Sequence, residues 1–203
     1  MSRLLRLLLF TLYRPPYNID KEVASIPRTT DNKISVCHAK LFHKLQSYSI
    51  CGNLLQWIQN FLSGRLQCTK VGPALSSYRD VCSAVGQGSC LGSLLFVLYI
   101  NDIVDIFSKS IISKLYADDL KFYTTLQTDD DYDELQRGLT ELEKWSAVWQ
   151  LQIAVRKCSV LPIGLRDTSA KPCFRLLENT LPVSNIVKDL EILIDSTQIQ
   201  LPS

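Results

Sequence analysis

Two β-rich runs, Ile111–Leu115 and Leu120–Thr125, flank Tyr116-Ala117-Asp118-Asp119, and this arrangement constrains the fold more than any other stretch of the chain. Branched and aromatic residues on both sides of a short polar break predict an antiparallel hairpin, with two adjacent carboxylates at its tip. Neighbouring carboxylates repel each other unless a cation lies between them. A dry tip offering both therefore suits a hard, oxygen-preferring ion such as Mg²⁺. Aspartate is also a common turn residue, so Tyr-Ala-Asp-Asp taken alone reads as a solvated turn, and its neighbours must decide.

The 203 residues, 46% of them hydrophobic, are enough for one sizeable core. A formal charge of +2 is close to balanced, which neither supports nor excludes a nucleic-acid partner. Seven scattered cysteines without a Cys-x-x-Cys argue against a disulfide framework or structural zinc and for a reducing, intracellular setting, cytoplasm or nucleus. Met1–Tyr13 places Arg3 and Arg6 ahead of Leu7-Leu8-Leu9-Phe10, but Arg14-Pro15-Pro16 follows and no small-residue cleavage site is present. This reads as a short amphipathic or buried helix rather than a secretion signal. Leu91–Ile100 is too short for a bilayer, which needs about 20 apolar residues, so no membrane association is expected.

Elsewhere helices and strands alternate. Ala39–Tyr48 is a helical stretch, and Cys51-Gly52-Asn53 supplies a stop and a new cap. Leu54, Leu55, Trp57, Ile58, Phe61 and Leu62 then recur at helical spacing, which makes Trp57 a core residue rather than a base-stacking platform. Cys68–Val71 and Tyr78–Val85 read as a hairpin leading into Gln87. Thr128 followed by Asp129, Asp130 and Asp131 reads as a capped helix start, not a metal cluster, ahead of the stripe Tyr132, Leu135, Leu139, Leu142, Trp145 and Trp149.

The order of short blocks adds a resemblance. Ala84-Val85-Gly86-Gln87-Gly88-Ser89-Cys90-Leu91-Gly92-Ser93-Leu94-Leu95-Phe96, then Tyr99-Ile100-Asn101-Asp102, then Tyr116-Ala117-Asp118-Asp119, resembles the palm of a reverse transcriptase from a non-LTR retrotransposon. The likeness continues through Trp145, Trp149, Leu151, Lys157, Cys158, Leu181-Pro182 and Asp189-Leu190, covering Ser35 to about Asp195. It implies an α/β fold of the α+β type, a palm-like antiparallel sheet with helices packed on one face. It divides the chain into a leader unrelated to the family (1–34), a palm-like domain (35–195) and a tail (196–203).

The resemblance also implies RNA-directed DNA synthesis, in which two Mg²⁺ or Mn²⁺ ions activate a primer hydroxyl and stabilise the leaving pyrophosphate. The implied partners are an RNA template, a DNA primer and deoxynucleotide triphosphates, with no obligate protein partner. Asp118 and Asp119 match the metal ligands, Asp118 ahead of Asp119 as direct ligand; Tyr116 lies beside the primer end, and Ala117 is a nucleotide- or template-binding position. Gln87, Gly88 and Ser89 match the loop set against nucleotide and template, although Gly88 alone is equally a plain turn. Lys157 matches a basic residue near the leaving phosphate, and Arg65 is a candidate contact for backbone phosphate; an exposed Lys or Arg is otherwise a solvated charge.

The family's third carboxylate has no counterpart. Its first acidic block reads Asp-Phe-Ser-Lys-Ala-Phe-Asp ahead of the equivalents of Val36 and His38, and the two acid positions here hold Arg28 and Ile34. Asp31 has the wrong parity for the same face of a strand, and Asp20 lies about 26 Å away along an extended chain. An arginine there opposes cation binding. The leader also leaves no room for the family's fingers region, the thumb is lacking, and Gly86, Ala154 and Glu191 depart from an expected Pro, Asn and Gly. Together these suggest a truncated copy of impaired activity. One other reading stays open, a non-catalytic, nucleic-acid-binding or inert remnant; a response-regulator-like acidic pocket would need a parallel sheet and an acceptor Asp on another strand, and the motif order argues against it.

Overall fold

A computed structural model describes residues 5–11, 36–68, 70–80, 89–126, 128–163, 173–190 and 192–196. In chain order the elements are β1 (Leu5–Thr11), α1 (His38–Ser47), α2 (Gly52–Leu62), β2 (Leu66–Gln67), β3 (Lys70–Val71), β4 (Ala74–Leu75), β5 (Arg79–Asp80) and α3 (Cys90–Ile100). A 3₁₀ turn over Asn101–Ile106 follows, then β6 (Ile112–Tyr116), β7 (Asp119–Thr125) and α4 (Asp129–Trp149). After a second 3₁₀ turn (Val155–Lys157) come β8 (Ser159–Pro162), β9 (Arg175–Leu176), β10 (Asn179–Thr180), β11 (Ile186–Asp189) and β12 (Ile192–Asp195). The class is mixed α/β with antiparallel sheets, as the palm-like reading requires, and its strand pairing removes the parallel-sheet alternative.

The chain divides into two compact units. One unit comprises Met1–Tyr13, Asn101–Val148 and Gln152–Ser203 and holds a four-stranded sheet of order β6-β7-β1-β8. Along β7, Leu120, Phe122 and Thr124 are buried while the residues between them are partly exposed, the period of two that the hairpin predicted. Phe122 packs on Phe107 with ring centroids 4.5 Å apart, and the Thr124 hydroxyl donates to the Ser110 carbonyl at 2.9 Å, so the buried polar group is satisfied. On α4, Leu135, Leu139, Leu142 and Trp145 bury one stripe. Gly138 lets that helix approach closely, since a Cβ there would lie 3.1 Å from Ile111 Cδ1. The Asp131 carboxylate reaches back to the N–H and hydroxyl of Thr128 at 2.8 and 3.0 Å, half of a capping box, so the acidic triplet is a helix start.

The central strand of this sheet is a correction. Met1–Tyr13 was expected to hold a helix; instead Leu5–Thr11 is β1, paired with β7 on one side and β8 on the other. A short, nearly continuous apolar run fits a helix turn and a central strand equally, and two neighbouring strands that satisfy its backbone on both edges decide in favour of the strand.

The other unit comprises Arg14–Ile100 and Trp149–Leu151. Val36, Leu41, Leu45, Leu55, Ile58, Leu62, Leu95, Tyr99, Ile100 and Leu151 are its buried hydrophobic residues among those described. Helix α1 ends with the N–H of Ile50 on the Leu45 carbonyl (3.0 Å) and that of Ser49 on Gln46 (2.9 Å), a Schellman motif with Ser49 at φ 63°. The next helix opens at Gly52 with Cys51 at the cap position. Lys44 is buried, donates to the Tyr99 carbonyl and lies 3.6 Å from the Trp149 ring centroid, contacts that offset part of the cost of burying its charge. Trp57 is a second correction: it is 55% exposed and stacks on Phe61, outside the core. The expected hairpin is nested, β2 with β5 and β3 with β4 around Gly72-Pro73, and residues 81–85 lie outside the described residues.

Candidate active site

The tip of the β6–β7 hairpin is built by its register. Tyr116 pairs with Asp119 and Leu115 with Leu120, so only Ala117 and Asp118 form the loop. A two-residue loop follows the right-handed twist of its strands when its first residue takes a positive φ, and Ala117 does so at 50°. That conformation costs an alanine about 1–2 kcal/mol, which the strand pairing must offset. Asp118 and Asp119 are both half-buried, and Tyr116 is 67% exposed beside them.

Asp119 forms part of the wall of a cleft of about 750 Å³, whose other residues come from the second 3₁₀ turn, β8, β11 and the loops around them. Lys157 lines the same cleft, together with Arg156, Ser159, Ser184, Lys188 and Asp189. Asp189 accepts from Lys121, which ties β11 to β7 and compensates its charge. Arg156, Lys157 and Lys188 thus line the cleft together with Asp119, charges suited to a phosphate that approaches a carboxylate-held cation. Arg156, Lys121, Lys188 and the role of Asp189 were not legible beforehand, because the segments that bring them together are distant in sequence.

Of the other sequence candidates, Ser89 and Arg65 lie in the other unit. Gln87 and Gly88 fall outside the described residues, as do Arg28, Ile34, Asp20 and Asp31. Ser89 caps α3, its hydroxyl accepting from the Gly92 N–H at 3.0 Å. Arg65 turns back on its own helix, donating from Nε to the Phe61 carbonyl at 2.7 Å with its guanidinium 4.3 Å from the Phe61 ring centroid. Tyr99-Ile100-Asn101-Asp102 belongs to the scaffold: within its unit the Tyr99 hydroxyl donates to the Trp149 carbonyl at 2.7 Å, and within the other Asp102 accepts from Trp145 Nε1 at 3.1 Å.

Among the described residues no three His, Cys, Asp or Glu side chains converge on a point where a metal ion could sit. Among the described residues the hairpin supplies two carboxylates, one fewer than the resemblance implies. No helix among the described residues is long and apolar enough to cross a membrane. The six described cysteines are all free thiols.

Comparison with known proteins agrees with the block order. The sequence profile of the family described as reverse transcriptase (RNA-dependent DNA polymerase) matches residues 34–178. The chain is 27% identical over 142 residues to a probable RNA-directed DNA polymerase from transposon X-element of Drosophila melanogaster, covering 68% of this chain and 16% of that protein. It is also 27% identical over 131 residues to the RNA-directed DNA polymerase from mobile element jockey of Drosophila funebris, covering 61% and 14% respectively. The chain thus spans about a sixth of the length of these relatives.

Proposed function

Because the chain belongs to the reverse transcriptase family, of the non-LTR retrotransposon kind, we propose that the β6–β7 tip and the adjoining cleft are a nucleotide-transfer centre for RNA-directed DNA synthesis, in a copy whose activity is impaired. The observation that carries this reading is the presence of Asp119 and Lys157 on the walls of one cleft at the hairpin tip. In the active family the bound Mg²⁺ or Mn²⁺ would supply activation of the primer hydroxyl and neutralise the triphosphate. In this chain Asp118 and Asp119 would hold the cation, and Lys157 with Arg156 would meet phosphate oxygens. Tyr116 offers an exposed ring beside the primer end. The proposed partners are an RNA template, a DNA primer and deoxynucleotide triphosphates, with Gln87, Gly88, Ser89 and Arg65 as template and nucleotide contacts.

Impairment follows from Arg28 and Ile34 at the family's acid positions and from the two-carboxylate set at the tip. The same observation favours a second reading, a binding remnant without chemistry. Both readings keep the cleft. Equilibrium titration of a deoxynucleotide triphosphate with Mg²⁺ should therefore show weak, salt-sensitive binding that Lys157→Ala weakens about ten-fold, the size of one lost charge-assisted contact of about 1.5 kcal/mol. Unchanged affinity in Lys157→Ala and Asp119→Asn would remove the cleft from the site.

A further inference from the structure

The formal charge of +2 conceals a segregation along the chain. From Val36 to Ile100 the sequence holds five lysines and arginines and a single acid, Asp80, so the carboxylates that balance the whole lie elsewhere. Helix α2 lies inside this basic stretch and carries no charged residue of its own. Its inner face, Leu55, Ile58 and Leu62, is buried, which turns the opposite face to solvent. There Trp57, Phe61 and Arg65 follow at intervals of four residues, the spacing that brings side chains together along a helix. Trp57 is 55% exposed, and its ring stacks on Phe61 with centroids 6.1 Å apart and planes 24° from parallel. Arg65 lies past the helix end. Gly64, at φ 65°, turns the chain so that the Arg65 guanidinium covers the Phe61 ring while Nε donates to the Phe61 carbonyl, one of the last acceptors that a helix leaves open. Among the described residues no ion pair engages Arg65. The result is a ladder of ring, ring and guanidinium whose outer member, Trp57, is open to solvent.

We infer that this ladder is a stacking site for the unpaired bases of a single-stranded nucleic acid. It belongs to the compact unit that does not hold the cleft. A flat ring accepts any base on its π-face, and a guanidinium stacked behind it adds positive charge and a donor for phosphate. An acid-free stretch around the ladder spares the strand like-charge repulsion. An apolar protein partner would call for aliphatic side chains, yet besides Leu54 the exposed neighbours on α2 are the amides of Asn53, Gln56 and Asn60, which hydrogen-bond to base edges or water. The inference deepens the template contact proposed for Arg65 and rests on that reading. Nothing in it depends on the carboxylates of the hairpin.

Titration of the full chain against end-labelled oligo(U) and oligo(dT) of about ten nucleotides, at low salt and without metal, tests this by fluorescence anisotropy. Both oligomers should bind the wild type. Trp57→Leu keeps an apolar surface but removes the π-face, and should weaken binding about ten-fold, the size of one lost base stack. Trp57→Phe keeps a ring and should lose less than about three-fold. Arg65→Lys keeps the charge without the planar group and should fall between the two. An abasic oligomer of the same length presents the phosphates alone; it should bind the wild type and Trp57→Leu equally. Base-containing oligomers should quench tryptophan fluorescence in the wild type and not in Trp57→Phe, which reads contact at that ring and not stability. Equal affinity of wild type and Trp57→Leu, an abasic oligomer bound as tightly as oligo(dT), or no binding by the wild type would overturn the inference. Binding that Lys157→Ala removes and Trp57→Leu leaves untouched would keep the cleft and sink the ladder, and the reverse pattern would keep the ladder and sink the cleft.

Discussion

Replacing Asp102 with alanine should destabilise the fold through a residue 43 positions away in sequence. The Trp145 indole N–H donates to Asp102 Oδ1 at 3.1 Å, and Trp145 is 6% exposed, so little water can substitute as an acceptor. Leaving a buried donor short of its acceptor costs about 1–3 kcal/mol. For a chain of this size each kcal/mol moves the melting midpoint by about 2–4 °C, so Asp102→Ala should melt about 2–12 °C below the wild type. Asp102→Asn keeps an oxygen in the same place and should lose less than half as much. The assay is thermal unfolding followed by near-ultraviolet circular dichroism, with Trp145→Phe in the same series. In the double variant Asp102→Ala with Trp145→Phe, the Asp102 effect should shrink, because the donor is gone. An Asp102→Ala midpoint within 1 °C of the wild type, or an equal loss in the Trp145→Phe background, would refute the reasoning.

The β9–β10 turn should gain from relief of strain: Leu177 (φ 46°) and Glu178 (φ 64°) both sit in the left-handed region that a type I′ turn demands. Glu178→Gly should therefore raise stability by about 0.5–1 kcal/mol in urea unfolding. The carboxyl of Glu134 is held below the ordinary glutamate range, first by the Ser108 hydroxyl and then by Arg137. A depressed folded value means that its contribution is present above the unfolded value and lost on acidification through the folded one. The melting difference between wild type and Glu134→Gln should accordingly close as pH falls below the usual carboxylate range. In primer–template binding, affinity should fall steeply from low to physiological salt, since phosphate contacts release counterions; salt-insensitive binding would contradict a charge-based cleft.

How far each element was legible depended on whether its signal was local. The β6–β7 hairpin carried alternation with a polar break, and α4 carried a 3.6-residue stripe behind a Thr-Asp cap, so both followed from neighbours in sequence. Strand β1 carries a short, mostly apolar run broken by Arg6, which does not by itself fix a conformation; its partners lie more than 100 residues away. On α2 two stripes compete: Leu55, Ile58 and Leu62 are buried, while Leu54 and Trp57, offset by one position, remain exposed. Periodicity alone could not choose between them. The pairing of Lys121 with Asp189 and the company of Lys157 in the cleft depend on tertiary contact, and no spacing encodes them. Ser89 and Arg65 show the converse: each makes a helix-end contact that its short motif does not announce, and that contact leaves the template and nucleotide roles proposed for them open to test.

Primer extension is the most direct measurement. The full chain and Asp118→Ala are each given a primed RNA template, deoxynucleotide triphosphates and Mg²⁺. An incomplete set of metal-holding carboxylates removes electrostatic stabilisation of the transferring phosphoryl group, typically about 10²-fold or more in rate. Wild type should extend no more than Asp118→Ala. Metal-dependent extension by the unmodified chain, lost in Asp118→Ala, would contradict the account.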